Sequence, residues 1–116
     1  MSDDIEVLDN GAKQSRIRGR YDLVDPYAMM RLASVLDGGA KKYGENNWRG
    51  IGSRSHINHA LRHIYMHLDG DTTECHLDHA FCRLMMAVAV EVEEFVHANV
   101  VEEFVKANVE AENEKI

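Results

Sequence analysis

The chain is organised around Gly39-Ala-Lys-Lys-Tyr-Gly-Glu-Asn-Asn-Trp-Arg-Gly50, read together with the helices on either side. Lysines and an arginine supply cations, two asparagines supply amide groups, and Tyr43 and Trp48 supply flat aromatic faces. The glycines permit turns that other residues resist. This mixture suits a ligand with an aromatic base at one end and phosphates at the other. A surface loop whose single tryptophan fills the core is the alternative that composition leaves open.

A first helix is predicted upstream of this stretch. Asp25 is a good N-cap and Pro26 fits the first helical position. Apolar residues then recur at helical spacing, at positions 28, 29, 32, 35 and 36. Gly38-Gly39 ends or bends this helix, and a further helical turn can follow over 40–43.

Two more helices are predicted downstream. The second spans 55–69, with Ser53 or Ser55 as its cap. A short turn over 69–73 makes the third helix antiparallel to the second. The third helix starts near residue 74, capped by Thr72 or Thr73. Its predicted core stripe is Leu77, Phe81, Leu84, Val88, Val92 and Phe95.

The sequence of the third helix also predicts self-association. Leu84–Val90 is apolar all round, which is typical of a bundle centre or a subunit interface. Farther on, residues 93–100 recur as residues 102–109 with one substitution, nine residues along the chain. Nine residues are two and a half helical turns, so Phe104 faces away from Phe95 unless the helix breaks near Asn99. A homo-oligomer is therefore expected, although a tolerated duplication also explains the repeat.

Composition limits the class of protein. A chain of 116 residues with 45% hydrophobic and 28% charged residues fits one globular domain. The net charge of -7 argues against a partner made of polymeric nucleic acid. No secretory signal or membrane span is read, and reduced cysteines fit a cytoplasmic protein. The predicted organisation is a flexible basic arm over 1–19, a helical nucleotide-binding domain over 20–99 and an acidic helical tail over 100–116.

Histidines provide the strongest chemical pattern that spacing alone gives. Four lie on one line of the second helix, namely His56, His59, His63 and His67. His59 and His63 could face His76 and His79 of the next helix and hold a metal of the zinc or transition type. A half-exposed polar face is the alternative. Cys75, His79 and Cys82 also share a face, for which buried structural cysteines are a better explanation than zinc.

Carboxylates offer a second kind of metal site. Glu91 and Glu94 lie at i and i+3 and could bind a divalent cation, although a solvated helix end is the better explanation. Asp69, Asp71 and Glu74 surround the turn beside the histidines. The chain contains no phosphate-binding P-loop, dinucleotide fingerprint or zinc-protease motif.

Several ordered pieces of the sequence resemble one family. They are Arg20-Tyr-Asp-Leu-Val24, Gly39-Ala-Lys-Lys-Tyr-Gly44 with Asn47-Trp48, Ala60-Leu-Arg-His63, Gly70-Asp71 and His76-Leu-Asp-His-Ala80. Together they are similar to the phage dATP/dGTP diphosphohydrolase family, relatives of the all-α MazG-like nucleotide pyrophosphohydrolases. The resemblance implies a compact helical bundle of the MazG-like type with a long C-terminal helix. It also implies Mg²⁺-dependent (or Mn²⁺-dependent) cleavage of a purine (deoxy)nucleoside triphosphate to monophosphate and pyrophosphate.

The resemblance also implies roles for individual residues. The nucleotide-binding set is Lys41, Lys42, Tyr43, Asn47, Trp48 and Arg62. The catalytic set is Arg62, His63, Asp71 and His76. The metal set is Asp71, Glu74, His76 and His79. The chain departs from the family in a shorter turn with fewer acidic residues and in Arg83, where a small amide is usual. These departures favour an alternative function, a non-catalytic protein that sequesters a signalling or cyclic nucleotide against host defence.

Overall fold

The computed structural model describes residues 4–114, and the side chains of residues 4–110. Its three helices are α1 Pro26–Tyr43, α2 Ser53–Leu68 and α3 His76–Glu114. Short 3-10 turns, Tyr21–Leu23 and Asn47–Gly50, precede α1 and α2. The predicted all-α fold with a long C-terminal helix is confirmed. Among the described residues, no helix combines the length and hydropathy that crossing a bilayer requires.

A small hairpin occupies the region predicted as an arm. Strands β1 Ile5–Val7 and β2 Lys13–Ser15 pair antiparallel, with Ile5 opposite Ser15. The sequence pattern did not indicate these strands, because almost all of their side chains are exposed and show no alternation. Residues 1–3 of the predicted arm lie outside the described residues.

Helix α1 begins as predicted but ends later. The Asp25 carboxylate accepts a hydrogen bond from the Ala28 amide at 2.8 Å, and Pro26 is the first helical residue. Gly38-Gly39 does not end the helix, which continues over the predicted turn at 40–43. Each interior glycine lowers the stability of the helix by about 1 kcal/mol relative to alanine. The helix nevertheless continues through both glycines to Tyr43. It stops at Gly44, whose φ of 100° favours glycine.

The predicted caps of α2 and α3 are wrong. Helix α2 starts at Ser53 after Gly52, and no side chain of its own segment caps it. Instead the Glu94 carboxylate of α3 accepts from the Ser53 amide at 3.3 Å and from its hydroxyl at 3.1 Å. Helix α3 starts at His76, beyond the predicted threonine caps. A negative charge at a helix N-terminus accepts hydrogen bonds from free amides and interacts favourably with the positive end of the helix dipole.

Small side chains form the core between the helices. Helix α2 packs along α3, and α1 also contacts α3. The buried apolar residues are Ala60, Ala80, Cys82, Ala87 and Val90. The predicted α3 core stripe is wrong for the single chain, since Val88 is 65% and Phe95 is 67% exposed. Helix α3 has 39 residues and α2 has 16, so α3 extends well beyond α2. The apolar face of this part of α3 is left uncovered.

Helix α3 is continuous through the duplicated segment. It passes Asn99 without the break that was one expectation, and Phe95 and Phe104 both remain exposed. The described chain extends 66 Å along its longest axis. Residues 115–116 of the predicted acidic tail lie outside the described residues.

Candidate functional site

A cleft of about 1440 Å³ opens between α1, the Asn47–Gly50 turn and the α2–α3 hairpin. It exceeds the range of roughly 300–1,000 Å³ usual for small-molecule pockets, so a nucleoside triphosphate fits within it. Its chemically distinctive lining residues are Arg31, Lys42, Tyr43, Asn47, Trp48, Arg49, His63, Glu74, Cys75, Asp78, His79, Cys82 and Arg83.

The aromatic wall of the cleft comes from the stretch that organises the sequence. Trp48 is half-buried and lines the cleft, so it does not fill the core. The Arg49 guanidinium lies 4.3 Å from the centre of its ring. Tyr43 is 62% exposed, with the Lys42 ammonium 5.0 Å from its ring centre. Each aromatic face therefore lies beside a cation, a combination suited to a base and its phosphates.

A fully buried histidine holds this wall in place. His56 Nε2 lies 2.9 Å from the Trp48 carbonyl oxygen, and its Nδ1 lies 3.1 Å from Arg83 Nη1. A carbonyl only accepts and a guanidinium only donates, so His56 is the neutral tautomer with its proton on Nε2. Arg49 also pairs with Glu93 of α3. The turn is thus tied to both helices of the hairpin.

Loss of His56 is expected to destabilise the fold. His56→Ala leaves the Trp48 carbonyl and the Arg83 guanidinium without their buried partner and opens a cavity, at a cost of about 2–4 kcal/mol. His67→Ala, on the exposed continuation of the same histidine line, should change stability by less than about 0.5 kcal/mol. Urea denaturation followed by circular dichroism measures both. Equal stability of the two variants would contradict the role of His56.

Two cations of the cleft are not neutralised. Arg31 pairs with Asp78 at 2.6 Å. Within residues 4–110, by contrast, neither Lys42 nor Arg83 forms an ion pair with a carboxylate. The charge of Arg83, followed by burial, lowers the pKa of His59. Sequence reasoning did not assign Arg83 to the site, although its spacing of i+7 from His76 was visible.

Two histidines and a glutamate converge beside the cleft, and His63 and Glu74 of this group line it. His63 of α2, Glu74 of the connection and His76 of α3 place one ligand atom each within 4.8 Å of the others. His63 Nδ1 lies 2.9 Å from His76 Nδ1. Glu74 Oε1 lies 3.2 Å from His63 Nδ1 and 3.3 Å from His76 Nδ1. Among the described residues this is the only such group with metal-ligand spacing.

Asp71 lies next to this His63–Glu74–His76 cluster. Its Oδ1 lies 3.3 Å from His76 Nε2, a buried nitrogen that has no hydrogen-bond partner within the described chain. The Thr73 hydroxyl and amide donate to the same carboxylate, at 2.5 and 2.8 Å, and lower the pKa of Asp71. Asp71 is therefore fixed as an anion beside His76.

Burial lowers the pKa of His63, and the nearby Glu74 charge offsets part of that effect. The folded state therefore favours the neutral ring, whose nitrogen lone pair can bind a metal. This preference stabilises the fold above the ordinary histidine pKa of about 6.5 and is lost as the pH falls through the folded value.

Some residues expected in the site lie elsewhere. Lys41 does not line the cleft; its Nζ lies 2.8 Å from Asp37 Oδ2. Arg62 lies with His59 at a separate shallow depression. His79 lines the cleft but stacks on His63, with ring centres 5.2 Å apart, outside the cluster.

Among the described residues, the cysteines and Glu91 and Glu94 do not form a group with metal-ligand spacing. Both thiols are free, as expected, but only Cys82 is buried; Cys75 is exposed, so the expectation of two buried cysteines is half wrong. Burial raises the pKa of the Cys82 thiol. The Glu94 carboxylate accepts a hydrogen bond from the Ser53 hydroxyl, while Glu91 is exposed.

A comparison with protein families gives one match. The family described as dATP/dGTP diphosphohydrolase, N-terminal, matches residues 9–99. The chain belongs to this family. No curated protein and no solved structure matches the chain. The match spans all the residues that line the cleft, from Tyr27 to Ala89, and its description names a nucleotide hydrolase.

Proposed function

We propose that the chain hydrolyses a purine (deoxy)nucleoside triphosphate to the monophosphate and pyrophosphate. One observation carries the proposal: the cleft is lined by an aromatic wall, by two cations that have no carboxylate partner among the described residues, and by His63 and Glu74, two members of a cluster of potential metal ligands. Family membership supports the same class of substrate.

The cleft suggests how the nucleotide is oriented. Tyr43 and Trp48 border the base, and Asn47 offers amide groups for its edge. Lys42 and Arg83 attract the phosphates, whose charge they complement. The scissile phosphates then lie toward His63 and Glu74, where charge develops during hydrolysis.

We propose that the divalent metal in this reaction is Mn²⁺ rather than Mg²⁺. Mg²⁺ prefers oxygen ligands in octahedral geometry, and the cluster offers one carboxylate against two imidazoles. Mn²⁺ accepts such a mixed set. A bound metal would supply charge neutralisation at the phosphates, while Lys42 and Arg83 hold them in place.

Incubation with each dNTP in turn tests the proposal. With Mn²⁺, a purine dNTP should yield monophosphate and pyrophosphate in equal amounts, resolved by ion-exchange chromatography. Release of inorganic phosphate, or preference for a pyrimidine, would contradict it.

Sequestration is the second candidate function. It is favoured by the scarcity of carboxylates, since Glu93 and Glu94 are held by Arg49 and Ser53 and the cluster contains only Glu74. Such a protein would bind its nucleotide in EDTA and release it chemically intact after heat denaturation. Recovery of monophosphate instead would exclude it.

Nucleotide binding should protect one thiol. Cys75 is exposed at the cleft, whereas Cys82 is buried with a raised pKa. Ellman's reagent should therefore label one thiol rapidly and the second only after unfolding. Saturating nucleotide should slow the rapid phase at least about tenfold if it fills the cleft, and Cys75→Ser should remove that phase. An unchanged rate with bound nucleotide would place the ligand elsewhere.

We further propose that the chain forms a homo-oligomer through α3. Leu84, Val88 and Val92 recur every four residues and so share one face of α3, and they are 44%, 65% and 57% exposed. Contiguous exposed apolar faces of this kind commonly mark protein–protein contacts. Light scattering should give a mass of at least two chains. Val88→Glu should dissociate it, whereas His97→Glu, at an exposed polar position of the same helix, should not. A monomer at micromolar concentration would end this proposal.

A further inference from the structure

The His63–Glu74–His76 cluster has the spacing of a metal site. Its three ligand atoms are separated by 2.9, 3.2 and 3.3 Å. Atoms bound to one ion at about 2.1 Å are separated by roughly 3.0 to 3.4 Å in octahedral or tetrahedral geometry. The three atoms come from α2, the connection and α3, so folding alone brings them together.

Hydrogen bonding alone leaves this cluster incompletely explained. A single proton can lie between the two Nδ1 atoms, yet the Glu74 carboxylate also faces both nitrogens. Two imidazole nitrogens and a carboxylate oxygen that lie this close together are best satisfied by a cation.

The far side of His76 supports the same conclusion. A ring that binds metal through Nδ1 carries its proton on Nε2 and needs an acceptor there. His76 Nε2 is buried without a hydrogen-bond partner in the described chain, and Asp71 Oδ1 lies 3.3 Å away. Thr73 holds that carboxylate in position. With a metal on Nδ1, Asp71 would take the place of the carboxylate in a carboxylate–histidine–metal triad, which orients the ligand ring.

We propose that His63, Glu74 and His76 bind a first-row transition-metal dication in preference to Mg²⁺, with Asp71 orienting His76. Two imidazoles and one carboxylate select the Mn²⁺-to-Zn²⁺ series, because Mg²⁺ seldom takes nitrogen ligands. The ligand set differs from the expected one, as His63 replaces His79 and Asp71 acts through His76. Three protein ligands leave coordination positions for water or a phosphate oxygen. The proposal does not depend on hydrolysis.

Cobalt titration tests the site without nucleotide. After EDTA treatment and removal of the chelator, Co²⁺ should produce visible ligand-field absorption at one equivalent per chain. Zn²⁺ should displace it, and Mg²⁺ in about hundredfold excess should not. Displacement by equimolar Mg²⁺, or no absorption, would overturn the proposal.

Variants assign the ligands in the same titration. His63→Ala and His76→Ala should weaken Co²⁺ binding at least about a hundredfold, and Asp71→Asn about tenfold. His59→Ala, one helical turn from His63, should bind as wild type does. Glu74 is half-exposed, so Glu74→Gln should fold normally and still lose affinity. Circular dichroism confirms folding of each variant. Wild-type affinity in Glu74→Gln and in the folded histidine variants would overturn the assignment.

Discussion

His76→Ala is expected to reduce the kcat for purine dNTP hydrolysis by about 10³-fold or more. His76 contributes a nitrogen to the only ligand cluster among the described residues, and its ring is buried. A metal held by this cluster would contribute several kcal/mol of charge stabilisation to the transition state, and the variant would lose it. Nucleotide binding should survive in part, because Lys42 and the aromatic wall remain. Asp71→Asn should act in the same direction but more weakly.

Two measurements separate this effect from misfolding. Turnover is followed by pyrophosphate release, and nucleotide affinity by calorimetry on the same preparation. His59→Ala provides a matched control, since His59 lies on α2 outside the cleft. Equal loss of affinity and turnover in His76→Ala would show that the residue supports binding rather than catalysis.

Trp48→Ala is expected to weaken nucleotide binding about 10- to 100-fold. Base–aromatic stacking contributes roughly 1–3 kcal/mol per base, and Trp48 lines the cleft with one face beside Arg49. Trp48→Phe should retain most of the affinity, because a phenyl ring also stacks. Tyr21→Ala, at an exposed tyrosine outside the cleft, should have no effect.

Intrinsic fluorescence provides an independent test of the same contact. The chain contains one tryptophan, so any change on adding nucleotide reports on Trp48. Stacking should quench its emission in the wild type. Unchanged emission at saturating nucleotide, with binding confirmed by calorimetry, would place the base away from Trp48.

The elements that local patterns encode were predictable. Asp25 and Pro26 indicated the start of α1, and the short turn at Gly70 indicated a helical hairpin. Local patterns failed where a distant residue substitutes for a local one. Glu94 caps α2 from more than 40 residues away, so a search for serine caps near the helix could not find it.

The candidate site was likewise predictable only in part. The resemblance included His63 and His76 among the site residues, but spacing could not show that His63 replaces His79 beside Glu74. That choice depends on the rotation of α2 against α3, which small buried residues such as Ala60 and Ala80 set. The link from His56 to Arg83 likewise joins two helices and has no sequence signature.

The apolar stripe of α3 misled prediction for a different reason. Periodicity identifies a face that avoids water but does not say what covers it. In the single chain Val88 and Phe95 remain exposed, while smaller residues on another face form the core.

The most direct measurement is a crystal structure of the chain with Mn²⁺ and a dATP analogue whose α–β bridging oxygen is replaced by methylene. We expect an anomalous manganese peak between His63, Glu74 and His76, phosphates beside Lys42 and Arg83, and the purine stacked on Trp48. Manganese bound away from that cluster, or a purine outside the cleft, would contradict a nucleotide site built on these residues.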